Sequence, residues 1–128
     1  MELNEIDFKV EIRCPMFPTE DKETLIHCNS KVFPKTNWSL SDDEVIGKSN
    51  YLTRFKKILE DMRIRDTARQ YMKERVVDDE CSFTLSKQAT CNAKVNFSEE
   101  EKPLGELEVK IVCNKIDALI ENLTETEE

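Results

Sequence analysis

Glycine is nearly missing from this chain: there are two in 128 residues, Gly47 and Gly105. A phosphate cradle or a dinucleotide-binding turn needs several glycines at fixed spacing, so neither can be built. The string Ile46-Gly47-Lys48-Ser49 resembles the end of a phosphate loop, but that motif needs a glycine five residues before Gly47. Asp42 stands there instead, an anion where a phosphate would lie. Histidine is rarer still. His27 is the single one and neighbours Cys28; on a helix the two side chains point about 100° apart, so they form no local nucleophile pair. The five cysteines (Cys14, Cys28, Cys81, Cys91 and Cys113) are odd in number, widely spaced and without a CxxC pair. That pattern excludes a zinc ribbon or a thioredoxin-type motif. It reads as reduced thiols used as small core residues. No apolar run approaches the ~18 residues of a membrane span. The opening MELNEIDFKV is acidic and alternating, unlike a secretory leader. A cytoplasmic protein without metal or cofactor is the expectation.

What is present is charge. Charged residues are 36% of the chain, hydrophobic ones 38%, and the formal net charge is −8. A chain of this size buries roughly two-thirds of its unfolded surface and needs no disulfide or metal staple. Residues 1–124 are expected to form a single domain and 125–128 an acidic flexible tail. Ile6, Phe8, Val10 and Ile12 alternate with polar residues and predict a strand. Pro15 and Pro18 break it. Thr19, followed by Glu20 and Asp21, predicts the start of a short helix ending near Asn29 or Ser30. Residues 36–40 predict a second strand, with a short extension at Val45 and Ile46. Leu52, Phe55, Ile58, Leu59 and Met62 form one helical stripe; Ile64, Ala68, Tyr71 and Met72 form another, out of phase with the first. Two helices breaking near 62–66 follow. Alternation over 81–85, 93–97 and 107–111 predicts three strands, the last two joined by a turn at Pro103–Gly105. A last amphipathic helix covers 114–123. The predicted fold is α+β, with one mainly antiparallel sheet and helices on one side.

The acidic triplets at 42–44, 78–80 and 99–101 read as solvated loops, since adjacent carboxylates repel and diverge. The positive charge is segregated. Between Lys48 and Arg75 there are nine basic residues against four acidic ones, a local +5. On a helical wheel Arg65, Arg69 and Lys73 form a ridge beside the apolar stripe, one turn apart. A ridge of that kind can follow a phosphate backbone, serve as a solvated face, or meet acidic protein loops. The chain lacks the aromatic signature of an RNA-recognition sheet, a KH loop, a zinc finger and a helix-turn-helix glycine.

Four strings, Ile64–Arg69 (IRDTAR), Lys87–Ala89 (KQA), Lys94–Phe97 (KVNF) and Pro103–Val109 (PLGELEV), occur in the order and spacing of a family of small archaeal proteins of unassigned function. The chain resembles that family over nearly its whole length. The resemblance implies a fold similar to ribosomal protein L-five, a dimer, and a role described as RNA-binding or exosome-associated. It highlights Asp66, Thr67, Ala68 and Arg69, then Lys87, Gln88 and Ala89, then the Pro103–Gly105 turn. Arg65 and the Thr90-Cys91-Asn92 stretch depart from the family's more apolar pattern. Together these readings predict a non-enzymatic, homodimeric RNA-binding protein. Its candidate phosphate contacts are Arg54, Lys57, Arg63, Arg65, Arg69 and Lys73, with Lys87 and Gln88 adjacent. The alternative is a protein–protein adaptor or structural homodimer without a nucleic-acid role.

Overall fold

The computed structural model describes residues 2–98 and 106–125. Strand β1 (Lys9–Pro15) leads to helix α1 (Lys22–Ser30), the hairpin β2 (Asn37–Ser41) and β3 (Glu44–Ser49), and helices α2 (Thr53–Asp61) and α3 (Arg65–Lys73). Strands β4 (Val76–Val77) and β5 (Glu80–Leu85), helix α4 (Lys87–Cys91), strands β6 (Phe97–Ser98) and β7 (Leu107–Val112), and helix α5 (Ile116–Leu123) complete the order. The strands make one antiparallel sheet in the order β2-β3-β1-β7-β5-β4, and β6 also pairs with β5. The α+β expectation holds.

Strand alternation divides the sheet into two faces. Val10, Ile12, Cys14, Val45, Cys81, Phe83, Leu85, Leu107, Val109 and Ile111 are buried beneath the helices. The stripes predicted for α2 and α3 supply Phe55, Ile58, Leu59, Ala68, Tyr71 and Met72 to that core. An aromatic run crosses it: Phe33 stacks on Phe55 at 5.7 Å, Phe55 on Phe83 at 5.9 Å, and Phe83 meets Phe97 edge-on at 5.6 Å. The opposite face interleaves Lys9, Arg13, Lys48 and Lys110 with Glu11, Glu44, Glu80 and Glu108. Signs balance there, and Arg13 pairs with Glu44 at 3.3 Å and Lys110 with Glu80 at 3.5 Å.

The structure corrects several local readings. The cap of α1 is Asp21, which accepts from the Thr24 amide at 3.1 Å, and not Thr19. β3 is a full six-residue strand between β1 and β2, where only a short extension is predicted. Gly47 conceals it: a Cβ there would lie 2.5 Å from Trp38 Cζ3, so the indole lies flat across a residue that weakens the strand signal. Two of the acidic triplets are hairpin turns. Asp42 (φ 51°) and Asp78 (φ 55°) open two-residue connections closed by Ser41–Glu44 and Val77–Glu80, using the tolerance of Asp for left-handed backbone. The third triplet and the Pro103–Gly105 turn lie outside the described residues. KQATC forms α4, absent from the predicted order, and only Phe97 of the 93–97 stretch lies in a strand, β6.

The cysteine expectation fails for one pair. Cys28 on α1 and Cys91 on α4 are joined as a disulfide across 63 residues of sequence, with Cα atoms 4.2 Å apart. Linear spacing cannot reveal this, because the packing of α1 on α4 creates the proximity. Cys14, Cys81 and Cys113 are free and buried, as expected of core residues. Burial pushes the Cys81 thiol up to about 12, with Arg75 pulling weakly the other way; its Sγ donates to the Met72 carbonyl at 3.3 Å.

Candidate nucleic-acid interface

The break between α2 and α3 sets the direction of the basic ridge. The Ile64 amide donates to the Leu59 carbonyl at 3.2 Å and the Arg63 amide to Glu60 at 3.1 Å, with Arg63 at φ 58°. That is the Schellman ending of a helix, with arginine where glycine is usual. The turn lays α3 beside α5, and the ridge then faces the C-terminal end of α5.

The last carbonyls of a helix lack intrahelical partners and carry its negative dipole end. Arg69 donates to the Thr124 carbonyl at 2.7 Å and to the Thr124 hydroxyl at 3.1 Å. Arg65 donates to the Glu125 carbonyl at 3.2 Å. Lys73 pairs with Glu121, whose second oxygen lies 3.8 Å from Arg69. From α2, Lys56 donates to Asn122 Oδ1 at 2.9 Å and Glu125 Oε1 at 3.0 Å. The Lys73 hydrogen bond, reinforced by the charges of Lys73 and Arg69, holds the Glu121 carboxyl below its ordinary value. The ridge predicted by the wheel therefore exists, and its cations close the end of α5.

The remaining candidates divide. Lys57 pairs with Asp61 at 3.3 Å, one turn on. Lys87 is only 14% exposed; its ammonium reaches the Pro15 carbonyl and Glu20 (3.1 Å) and tethers α4 to the end of β1. Cys14 faces the same cluster, and burial raises its thiol against smaller lowering effects of Asn29 and Lys87. Gln88 is exposed on α4. Arg54 and Arg63 are exposed, and their guanidiniums have no hydrogen-bond or ion-pair partner among the described residues. Arg75 lies 3.6 Å over the Tyr71 ring. The structure thus brings Arg65, Arg69 and Lys73 together, and leaves Arg54, Lys87 and Gln88 apart from them on other elements. Among the described residues no group of three or more His, Cys, Asp or Glu is placed to hold a metal ion, and no helix is long and apolar enough to cross a membrane.

A different surface escaped the charge-based reading. β2 is an edge of the sheet: among the described residues no strand pairs with its side away from β3. Residues 36–41, TNWSLS, carry no charge in a chain that is 36% charged. Trp38 is half-buried over Gly47, and Leu40 is 45% exposed. The signal available in the sequence was that neutral stretch beside a turn, since edge strands are usually protected by charge or proline.

No family model matches the chain. A UPF0201 protein of Methanothermobacter thermautotrophicus is 35% identical over 116 residues, covering 88% of each chain. The chain belongs to the UPF0201 family of archaeal proteins. A UPF0200/UPF0201 protein of Archaeoglobus fulgidus is 30% identical over 109 residues, which are 84% of this chain and 34% of that longer relative. Two crystal structures of UPF0201 proteins superimpose closely. One gives a TM-score of 0.85 at 26% identity, covering 92% of this chain and 94% of the other. The second, from Methanococcus jannaschii, gives 0.83 at 26% identity, covering 94% and 95%. The family expected from IRDTAR and its companion strings is the one found.

Proposed function

We propose that this chain is a non-enzymatic protein-assembly module whose working surface is the open β2 edge of its sheet. One observation carries the reading: a strand edge free of charge and proline, paired by no other strand among the described residues, presents Trp38 and a 45%-exposed Leu40. Strand addition to such an edge is a recurrent mode of protein recognition. The docked ridge adds indirect support, because Arg69 and Lys73 already spend their charge inside the molecule. The Archaeoglobus relative is a UPF0200/UPF0201 protein of which the match covers 34%, in keeping with work done beside another protein unit.

The test uses Leu40→Pro. Proline at an outward-facing amide of an edge strand blocks further pairing and leaves the inner ladder intact. Chain recovered from cells under native conditions is compared with this variant by native mass spectrometry. The wild type should carry bound protein and the variant should be a lone chain. Identical spectra of the two sink the reading.

A second reading, RNA binding, is favoured by the exposed guanidiniums of Arg54 and Arg63, which have no partner among the described residues. Contact with ~2–3 phosphates gives a slope of about −2 to −3 in log affinity against log salt. An Arg54→Ala/Arg63→Ala variant should flatten it, whereas Leu40→Pro should not.

A further inference from the structure

At the end of the sheet away from β2, a cavity of about 380 Å³ opens between the α2–α3 turn and the segment that leaves α4. That volume lies in the range of small-molecule sites. Its apolar walls are Met62 and Ile64 on one side and Val95 and Phe97 on the other. Val95 is buried, and the other three are half-buried against the core. Each wall is set by a left-handed helix end made without glycine. Arg63 (φ 58°) stands between Met62 and Ile64. Ala93 (φ 57°) precedes Lys94, whose amide returns to the Ala89 carbonyl at 2.9 Å. Strained backbone of this kind gathers at ligand sites, and here two such turns border one cavity.

The polar groups of the cavity are not engaged elsewhere. The side chains of Thr67, Lys94 and Asn96 are exposed there and have no hydrogen-bond or ion-pair partner among the described residues. Lys94 is the charged residue of the described lining, which contains no carboxylate, in a chain with 27 acidic residues. The Val95 amide donates at 3.3 Å to the thioether of Met62, a weak acceptor. A carboxylate oxygen is a stronger one, and the unbranched methionine side chain can turn aside.

We infer that this cavity binds a small aromatic carboxylate: one ring, one short stem and one negative charge. The ring lies between the Met62 thioether and the Phe97 ring, both of which favour an aromatic neighbour. The carboxylate takes the Val95 amide from Met62 and pairs with the ammonium of Lys94, the preceding residue. Thr67 and Asn96 supply hydrogen bonds at the rim. A cationic ligand is repelled by Lys94, and a purely apolar one leaves these donors unused. The inference goes beyond the β2 edge and does not depend on it.

Phenylpropionate, phenylpropionamide and phenylpropylamine are the probes, titrated into isotope-labelled protein observed by NMR. The acid should shift the amides of 62–67, 89 and 94–97 saturably, Val95 most, with half-saturation below ~5 mM. The neutral amide should bind at least about fivefold more weakly, the worth of one exposed ion pair, and the amine should not bind. Lys94→Ala, a change at an exposed side chain, should cost the acid the same factor. Ala89→Leu, which fills the cavity, should remove binding; if that variant fails to fold, Lys94→Ala decides. Shifts that do not saturate by ~10 mM, an amide that binds as well as the acid, or full affinity in Lys94→Ala overturns the inference.

Discussion

The Arg69 guanidinium spans the carbonyl (2.7 Å) and the hydroxyl (3.1 Å) of Thr124, so a helix from the middle of the chain closes the end of the last one. Thr124 is fully buried, and its hydroxyl donates in turn to the Ile120 carbonyl at 2.7 Å. Four of the clustered cations, Lys56, Arg65, Arg69 and Lys73, thereby have a structural role at the end of α5.

Arg69→Ala should cost about 2 kcal/mol, the usual loss for a charge-assisted hydrogen bond in a half-buried site. Urea midpoints at unchanged slope measure it. Arg69→Lys should recover only part, because a single ammonium lacks the planar fork that reaches both oxygens. Wild-type stability in Arg69→Ala would return the guanidinium to the pool of free cations.

Acid should weaken the same junction. The folded-state pKa of Glu121 is depressed, chiefly by the Lys73 hydrogen bond. Its contribution is therefore present above the ordinary value of 4.5 and disappears as pH falls through the lowered one. Glu121→Gln should melt below the wild type at pH 7, and the gap should close as the pH drops below 4.5. A gap constant from pH 7 to 3 would contradict this. Salt should narrow the gap at neutral pH, because the pair is exposed.

Two left-handed helix ends lack glycine. Arg63 (φ 58°) ends α2, and Ala93 (φ 57°) follows α4, where Lys94 donates to the Ala89 carbonyl at 2.9 Å. Side chains there are strained by roughly 1–2 kcal/mol, partly offset by the extra freedom glycine has when unfolded. Arg63→Gly and Ala93→Gly should each stabilise the fold by about 1 kcal/mol in denaturant titrations. Arg63→Val should do the opposite.

The Cys28–Cys91 bridge closes a long loop across 63 residues of sequence. In the chain-entropy account such a loop contributes about 4 kcal/mol. Reductant should lower the melting temperature, and Cys28→Ser should reproduce that fall and make it insensitive to reductant. Alkylation of the unfolded, unreduced chain should label three cysteines; five labelled would show the thiols to be free.

Much of the architecture was legible because periodicity is a local property. The stripes Leu52–Met62 and Ile64–Met72, and the alternation in β1, β5 and β7, each record one face turned to a core. β3 and α4 were not legible. Gly47 interrupts the strand pattern, and α4 is a five-residue turn held by the buried tether of Lys87 and the Cys28–Cys91 link, both long-range. The ridge was legible as a stripe of charge but not as a cap.

The order of residues alone determined which side of each helix and strand is apolar, where the middle helices break, and that positive charge is gathered between Lys48 and Arg75. Tertiary structure alone decided what those charges meet. A helical wheel gives the direction of Arg69 about its own axis, but the carbonyl of Thr124 arrives from 55 residues away. The same holds for the open edge: TNWSLS is a neutral strand in any reading, and becomes a surface only because no other strand of the described chain lies beyond it.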